Sequence, residues 1–224
     1  MTDGLWIVTG ASRGIGQAIA RELADPSRPL LLTATEAGHV EALCDELRAG
    51  GCPAEGLALD LSKPEHVAGL EVALATAHVA GVVNNAGVLD RGNLDEITDA
   101  QIAHTLAVNV AGVIQVTREA LRHMRPGSRI INVGSISGTL GTAGASLYNA
   151  SKWAVTGLTK SWAAELKDRD IFVAEVRPGS VDTDMLKQTP FEPVVEPGEV
   201  ARLVRYLAVE APITMTGTAV DIFG

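Results

Sequence analysis

Apolar residues along this chain fall into two alternating patterns. Short, mostly apolar runs at 5–8, 30–33, 56–59, 81–83, 129–133, 172–176 and 218–222 have the length of buried strands. Between them, at 16–24, 40–49, 64–77, 99–124, 147–167 and 199–208, apolar positions recur every three or four residues. That is the period of a helix packed on one face. Asp25-Pro26-Ser27-Arg28-Pro29 is a turn leading into the second run. Pro64 stands just inside a helix start that Ser62 is expected to cap. Repeated strand–helix alternation predicts βαβ units: an α/β fold with a mostly parallel, seven-stranded, doubly wound sheet flanked by helices. No repeat, linker or low-complexity stretch divides residues 1–224, so a single domain is expected.

Composition narrows this picture. Aromatic residues are only 4% of the chain, so the core must come from Val, Ile, Leu and Ala, which suits strands buried on both faces. A net charge of -9 argues against nucleic-acid or anionic-membrane partners, which need a basic surface. Cys44 and Cys52 have no CxxC spacing and read as two reduced thiols, and no metal site is expected. Met1-Thr2-Asp3-Gly4 lacks the basic start of a signal peptide. The apolar window 67–83 is interrupted by Glu71 and His78, so no membrane span is expected there. The expected address is the cytoplasm.

Thr9-Gly10-Ala11-Ser12-Arg13-Gly14-Ile15-Gly16 joins the first strand to the first helix. Glycines in such a turn let backbone N–H groups and a helix N-terminus approach a pyrophosphate. The spacing is TGxxxGxG, and further motifs follow in order: Asp60, Asn84-Asn85-Ala86-Gly87, Asn109, Ser135, Tyr148-Asn149-Ala150-Ser151-Lys152, then Pro178-Gly179 leading to Thr183. Together they resemble the classical short-chain dehydrogenase/reductase family across nearly the whole chain. The resemblance implies one Rossmann-type domain that moves a hydride between a nicotinamide dinucleotide and a carbonyl or alcohol.

Reducing a carbonyl needs a proton donor near its oxygen and something to stabilise developing charge. Tyr148 is the candidate acid/base, and Lys152, four residues on, shares its helical face. An ammonium there is expected to lower the phenol's pKa. By resemblance, Ser135 hydrogen-bonds the substrate oxygen, Lys152 also holds the nicotinamide ribose, and Asn109 organises a water-linked proton relay. Gly10, Ser12, Arg13, Gly14, Ile15 and Gly16 form the pyrophosphate turn. Asp60 and Leu61 are similar to residues at the adenine, and Asn85, Ala86 and Gly87 to the wall beside the adenosine ribose. Val181 and Thr183, after Pro178-Gly179, are similar to carboxamide contacts. The Asn84-Asn85 pair also has a structural reading, as a pin within the sheet.

NAD enzymes of such folds place an acid at the end of the second strand. Ala34 stands there instead, Arg13 suits a 2′-phosphate, and Thr33-Ala34-Thr35 resembles NADPH-dependent 3-ketoacyl-carrier-protein reductases, with Thr35 by the phosphate. NADP(H) is therefore the expected coenzyme; Glu36 keeps NAD(H) open. Residues 180–197 are expected to form a short substrate loop carrying Met185, Leu186, Phe191, Val194 and Val195. By resemblance, the helix with Tyr148, Trp153 and Trp162 is expected to form a homodimer or homotetramer face with the 99–124 helix. Two rivals stand beside the reductase: an NAD-dependent alcohol dehydrogenase, and a non-catalytic dinucleotide sensor. The first lacks its acid at position 34. The second would have lost Ser135, Tyr148 or Lys152, and all three are present. An epimerase-type relative would show TGxxGxxG instead.

Overall fold

The structure, a computed structural model, describes residues 4–223. Its sheet contains β1 (Leu5–Val8), β2 (Leu30–Ala34), β3 (Ala54–Ala58), β4 (Val79–Asn84), β5 (Met124–Val133), β6 (Phe172–Pro178) and β7 (Ala219–Ile222). The helices are α1 (Gly14–Leu23), α2 (Gly38–Ala49), α3 (Pro64–Leu74), α4 (Asp99–Leu106), α5 (Val113–Leu121), α6 (Ser146–Glu165) and α7 (Pro197–Arg205). The strands run in the order β3-β2-β1-β4-β5-β6-β7, every neighbouring pair parallel. Strands are added outward from β1 on one side and outward from β4 on the other. The crevice at the carboxyl ends of β1 and β4 is thus the switch point where open α/β sheets hold ligands.

Successive side chains of a strand point to opposite faces, and both faces are covered. Trp6 and Val8 pack with Ile19, Leu23, Leu43, Val200 and Val204 from α1, α2 and α7. Ile7 packs with Val67, Leu70 and Leu74 of α3 and Val116 and Ala120 of α5. The Trp6 ring lies where a Cβ on Gly81 would come within 2.4 Å of it, so the β1–β4 pairing needs a glycine at 81. A buried polar chain crosses the sheet between α5 and α6. Asn84 Nδ2 donates to Thr117 Oγ1 (2.9 Å) and Asn132 Oδ1 (2.8 Å), and Asn132 Nδ2 donates to Thr159 Oγ1 (2.9 Å).

Most element ends shift by one to three residues from the sequence reading, and three differences go further. The expected helix over 99–124 is α4, a π-helical segment Ala107–Gly112, then α5, and Met124 already belongs to β5. A π turn adds a residue without abolishing the apolar repeat, so periodicity alone reads through it. β5 starts early, across Pro126-Gly127, because its register with β4 slips between Val79 and Gly81. Ser62 does not cap α3. The N-cap is Lys63 without a side-chain bond, and the Ser62 hydroxyl instead donates to Asp60 Oδ1 (2.7 Å). Among the described residues no helix is long and apolar enough to cross a membrane.

Candidate active site

Residues at the carboxyl ends of β1, β2, β4 and β5 open onto a cleft of about 650 Å³. The glycine turn forms its floor. Gly10 (φ 65°) and Gly14 (φ 54°) occupy the left-handed region that favours glycine. A Cβ on Gly10 would lie 2.8 Å from Ala86 Cα, and one on Gly16 would lie 2.2 Å from the Gly10 carbonyl oxygen. The turn is clamped from β4. Asn85 Nδ2 donates to the carbonyls of Thr9 (3.0 Å) and Gly10 (3.1 Å), while Thr9 Oγ1 accepts from the N–H groups of Asn85 and Ala86, both 3.0 Å. α1 begins at Gly14 with no side-chain cap and no acid in its first turn, leaving its N–H groups to an anion. Asn84 is the sheet pin and Asn85 the clamp on the turn, so the pair divides its work.

The cleft brings together Gly10, Ser12, Arg13, Gly14, Ile15, Gly16, Thr35, Asp60, Leu61, Asn85, Ala86, Gly87, Tyr148, Lys152 and Thr183. Pro178, Gly179 and Val181 line a second cavity of about 500 Å³, together with Ser135. The two cavities meet at Ile15, Gly134, Tyr148, Thr183 and Met185. The elongated cleft with its glycine floor, and a Tyr–Lys pair at the junction, fits a dinucleotide lying across the switch point. Glu36 is not on the cleft wall, whereas His39 is. Arg13 reaches across the mouth to Asp184 at 3.3 Å, an exposed and solvent-screened pair that leaves the guanidinium available to a phosphate. Asp60 accepts from Ser62 N (3.0 Å) and Oγ (2.7 Å), and these bonds hold its carboxyl below the ordinary range.

Lys152 is buried on α6 and donates to the Val133 carbonyl (3.0 Å); desolvation pulls its pKa down to about 8, partly offset by the charge of Glu175. A Cβ on Gly87 would stand 3.7 Å from Nζ, so glycine there keeps room around the amine. Tyr148 remains partly open to the cleft, yet the protein crowded around it pushes its pKa above the ordinary phenol value, opposed by a hydrogen bond with Ser135. This corrects the expectation that Lys152 lowers it. The ammonium sits 5.7 Å from the ring centroid, is aimed at Val133, and does not outweigh desolvation.

Asn109 lies in the π segment behind the cleft. Both of its Nδ2 protons are committed, to Val88 O (2.9 Å) and Ser151 Oγ (3.0 Å), while Oδ1 accepts from Val88 N (2.8 Å). It braces the loop after β4 and has no side-chain donor left for a water. Sequence reasoning passed over Glu175. This carboxylate is fully buried in β6, accepts from Thr156 Oγ1 (3.0 Å), and has no partner for Oε2 among the described residues. A Cβ on Gly134 would lie 2.0 Å from Glu175 Oε1, so the glycine after β5 makes the space it occupies. The signal was an acid inside an apolar strand, Phe172-Val173-Ala174-Glu175-Val176.

Residues 5–192 match the family model described as short chain dehydrogenase. The chain belongs to the short chain dehydrogenase family. This dehydrogenase, an oxidoreductase of that family, is 35% identical to the 3-oxoacyl-acyl-carrier-protein reductase of Pseudomonas aeruginosa, over 97% of this chain and 95% of that protein. Among solved structures it is similar to a short chain dehydrogenase from Burkholderia cenocepacia in complex with NADP. There the identity is 35%, the TM-score 0.90, and the coverage 98% and 96% of the two chains. It is also similar to a blue fluorescent protein from a metagenomic library in complex with NADPH, with 33% identity, TM-score 0.92, and coverage of 98% and 96%.

Proposed function

We propose that this dehydrogenase is an NADP(H)-preferring carbonyl reductase in which Tyr148 transfers the proton. The observation that carries this reading is the junction of the two cavities. Tyr148 is on the wall of both, with Lys152 in the first and Ser135 in the second. When bound, the dinucleotide supplies the hydride. Ser135 donates to the substrate oxygen, and Tyr148 passes its proton to that oxygen as charge develops. A phenol raised above its ordinary pKa keeps its proton at neutral pH, the state reduction requires. Lys152 has one of its three donors used by Val133, so the others would be free to hold the ribose of a bound dinucleotide. Asn109 is a positioning residue that holds Val88 and Ser151.

Ala34 at the end of β2, Arg13 and Thr35 on the cleft wall, and Glu36 off it support NADP(H) over NAD(H). NADP and NADPH are the dinucleotides in the two solved structures described above. Exposed Ile102 and Leu106 on α4, Ile114 on α5 and Trp153 on α6 support an association of at least two copies through these helices. Trp162 packs inward against the core instead. Two buried free thiols suit a reducing cytoplasm.

A carbonyl panel followed by coenzyme absorbance with NADPH and NADH tests this reading. Tyr148→Phe is expected to lower kcat by roughly a hundredfold or more while coenzyme Kd changes little. Equal kcat in the variant, or a clear preference for NADH, refutes the respective half.

A further inference from the structure

The second cavity is the space beside Ser135 and Tyr148 into which the body of a substrate extends. Most of its wall is apolar or neutral, including Leu89, Ile136, Leu140, Met185, Leu186 and Phe191. Among the described residues Arg91 is the one charged residue on that wall. It is held there twice. The backbone N–H of Gly92 donates to the Gly144 carbonyl (3.0 Å), tying the stem of Arg91 to the loop before α6, and Arg91 Nη2 donates to the Ala143 carbonyl (3.3 Å). Gly144 lies in the left-handed region that favours glycine (φ 67°), and a Cβ there would only reach ordinary contact with Nη2 at 3.6 Å.

Among the described residues no carboxylate pairs with this guanidinium. The adjacent acid, Asp90, is engaged on α4 instead, accepting from Thr105 Oγ1 at 2.7 Å and lying 3.4 Å from His104 Nδ1. Arginine carries five N–H donors, and a single carbonyl uses one of them. The remainder form a planar fork that matches a carboxylate or another oxyanion. In a protein of net charge -9, a fixed and unpaired cation on an otherwise neutral wall is a selective feature rather than part of a general basic surface.

We infer that the reducible substrate is an amphipathic carbonyl compound bearing an oxyanion, which Arg91 recognises while Ser135 and Tyr148 hold the carbonyl. This rests on the reductase reading and adds its substrate class. The hydride and proton both go to the carbonyl, and the oxyanion is untouched, so Arg91 is a specificity residue.

Matched probes differing only in that charge test it: 4-acetylbenzoate against its methyl ester, and levulinate against methyl levulinate. Binding to the protein saturated with NADP is read by calorimetry, and kcat/KM by NADPH consumption. For at least one pair, the acid is expected to exceed the ester roughly ten- to a hundredfold in both readouts. Arg91→Met should collapse that ratio toward one, and Arg91→Lys should keep part of it. Acid and ester handled equally by the unaltered protein, no charge-selective binding by any probe, or a ratio that survives Arg91→Met overturns the inference. Arg91-dependent binding of an acid, with no probe turned over, supports oxyanion recognition by Arg91 and counts against the reductase reading on which the word reducible rests.

Discussion

Gly16→Ala and Gly157→Ala are the same substitution in two helices, and the structure assigns them opposite signs. In an open helix, Ala stabilises by about 0.5–1 kcal/mol relative to Gly. At Gly157 on α6 nothing in the same chain lies within 4 Å of an added Cβ, so that gain should appear in the single chain, measured with Trp153→Glu to keep a second copy off this face. At Gly16 the Cβ would lie 2.2 Å from the Gly10 carbonyl oxygen and 2.5 Å from Asn85 Nδ2. Neither neighbour yields readily, because that amide is itself bonded to the Thr9 and Gly10 carbonyls. Relief requires the glycine turn to lift by about 1 Å, at an overpacking cost of about 1–3 kcal/mol. Loosening the two Asn85 bonds adds about 1 kcal/mol each. Set against the helix gain, the net loss is about 2–4 kcal/mol. A shift of that size in the turn should also weaken dinucleotide binding by roughly a hundredfold. Urea unfolding gives the stability and coenzyme fluorescence the Kd. A Gly16→Ala protein that unfolds and binds like the unaltered one, or a Gly157→Ala protein equally damaged, refutes the clamp.

Reduction should fall as pH rises through about 8, where Lys152 loses its charge. Its folded pKa lies below the ordinary 10.5, so between these values the unfolded chain binds the extra proton and this group makes the fold more stable as pH rises. A pH–rate profile beside unfolding curves separates the two trends, and Glu175→Gln should move the activity limb to lower pH. Asn132→Ala should cost about 2–4 kcal/mol in urea unfolding, since it leaves one Asn84 donor unpartnered in the core and removes the bond to Thr159 Oγ1, which keeps only its own donation to the Val155 carbonyl. Light scattering should find at least two copies associated at micromolar concentration, with Trp153→Glu, at a side chain 54% exposed, lowering the mass toward one chain. A single-chain mass without the substitution removes the association surface from the proposal.

The strand–helix alternation was legible because the inner strands β1, β2, β4 and β6 are short, mostly apolar and buried, and the helices between them carry an apolar stripe. The glycine turn, the Asn pair and the Tyr148–Lys152 spacing were legible for a different reason: their local spacing survives whatever the rest of the chain does. What escaped depended on distance in sequence. The π segment at Ala107–Gly112 keeps a helical repeat, so its bonding is invisible to periodicity. Glu175 and Gly134 make sense only once β5 and β6 are neighbours, and Arg91 only once its loop meets the residues before α6. The direction of the Tyr148 shift was misjudged because proximity of a cation is readable from spacing, whereas desolvation is not.

Residues 182–194 leave and rejoin the body of the protein at one point, where Val181 bridges Val195 and the Ser180 carbonyl receives two backbone N–H groups. Both valines are buried, whereas Phe191 and Val194 at the far end are exposed. Beyond that neck the segment meets the glycine turn near its start, through Arg13–Asp184 and Thr183 beside Gly14, whereas Leu186, Thr189 and Phe191 line the second cavity alone. The stretch from 186 to 194 is therefore the part to exchange for a new substrate appetite, with Thr183, Asp184 and Met185 kept as the edge shared with the glycine-floored cleft.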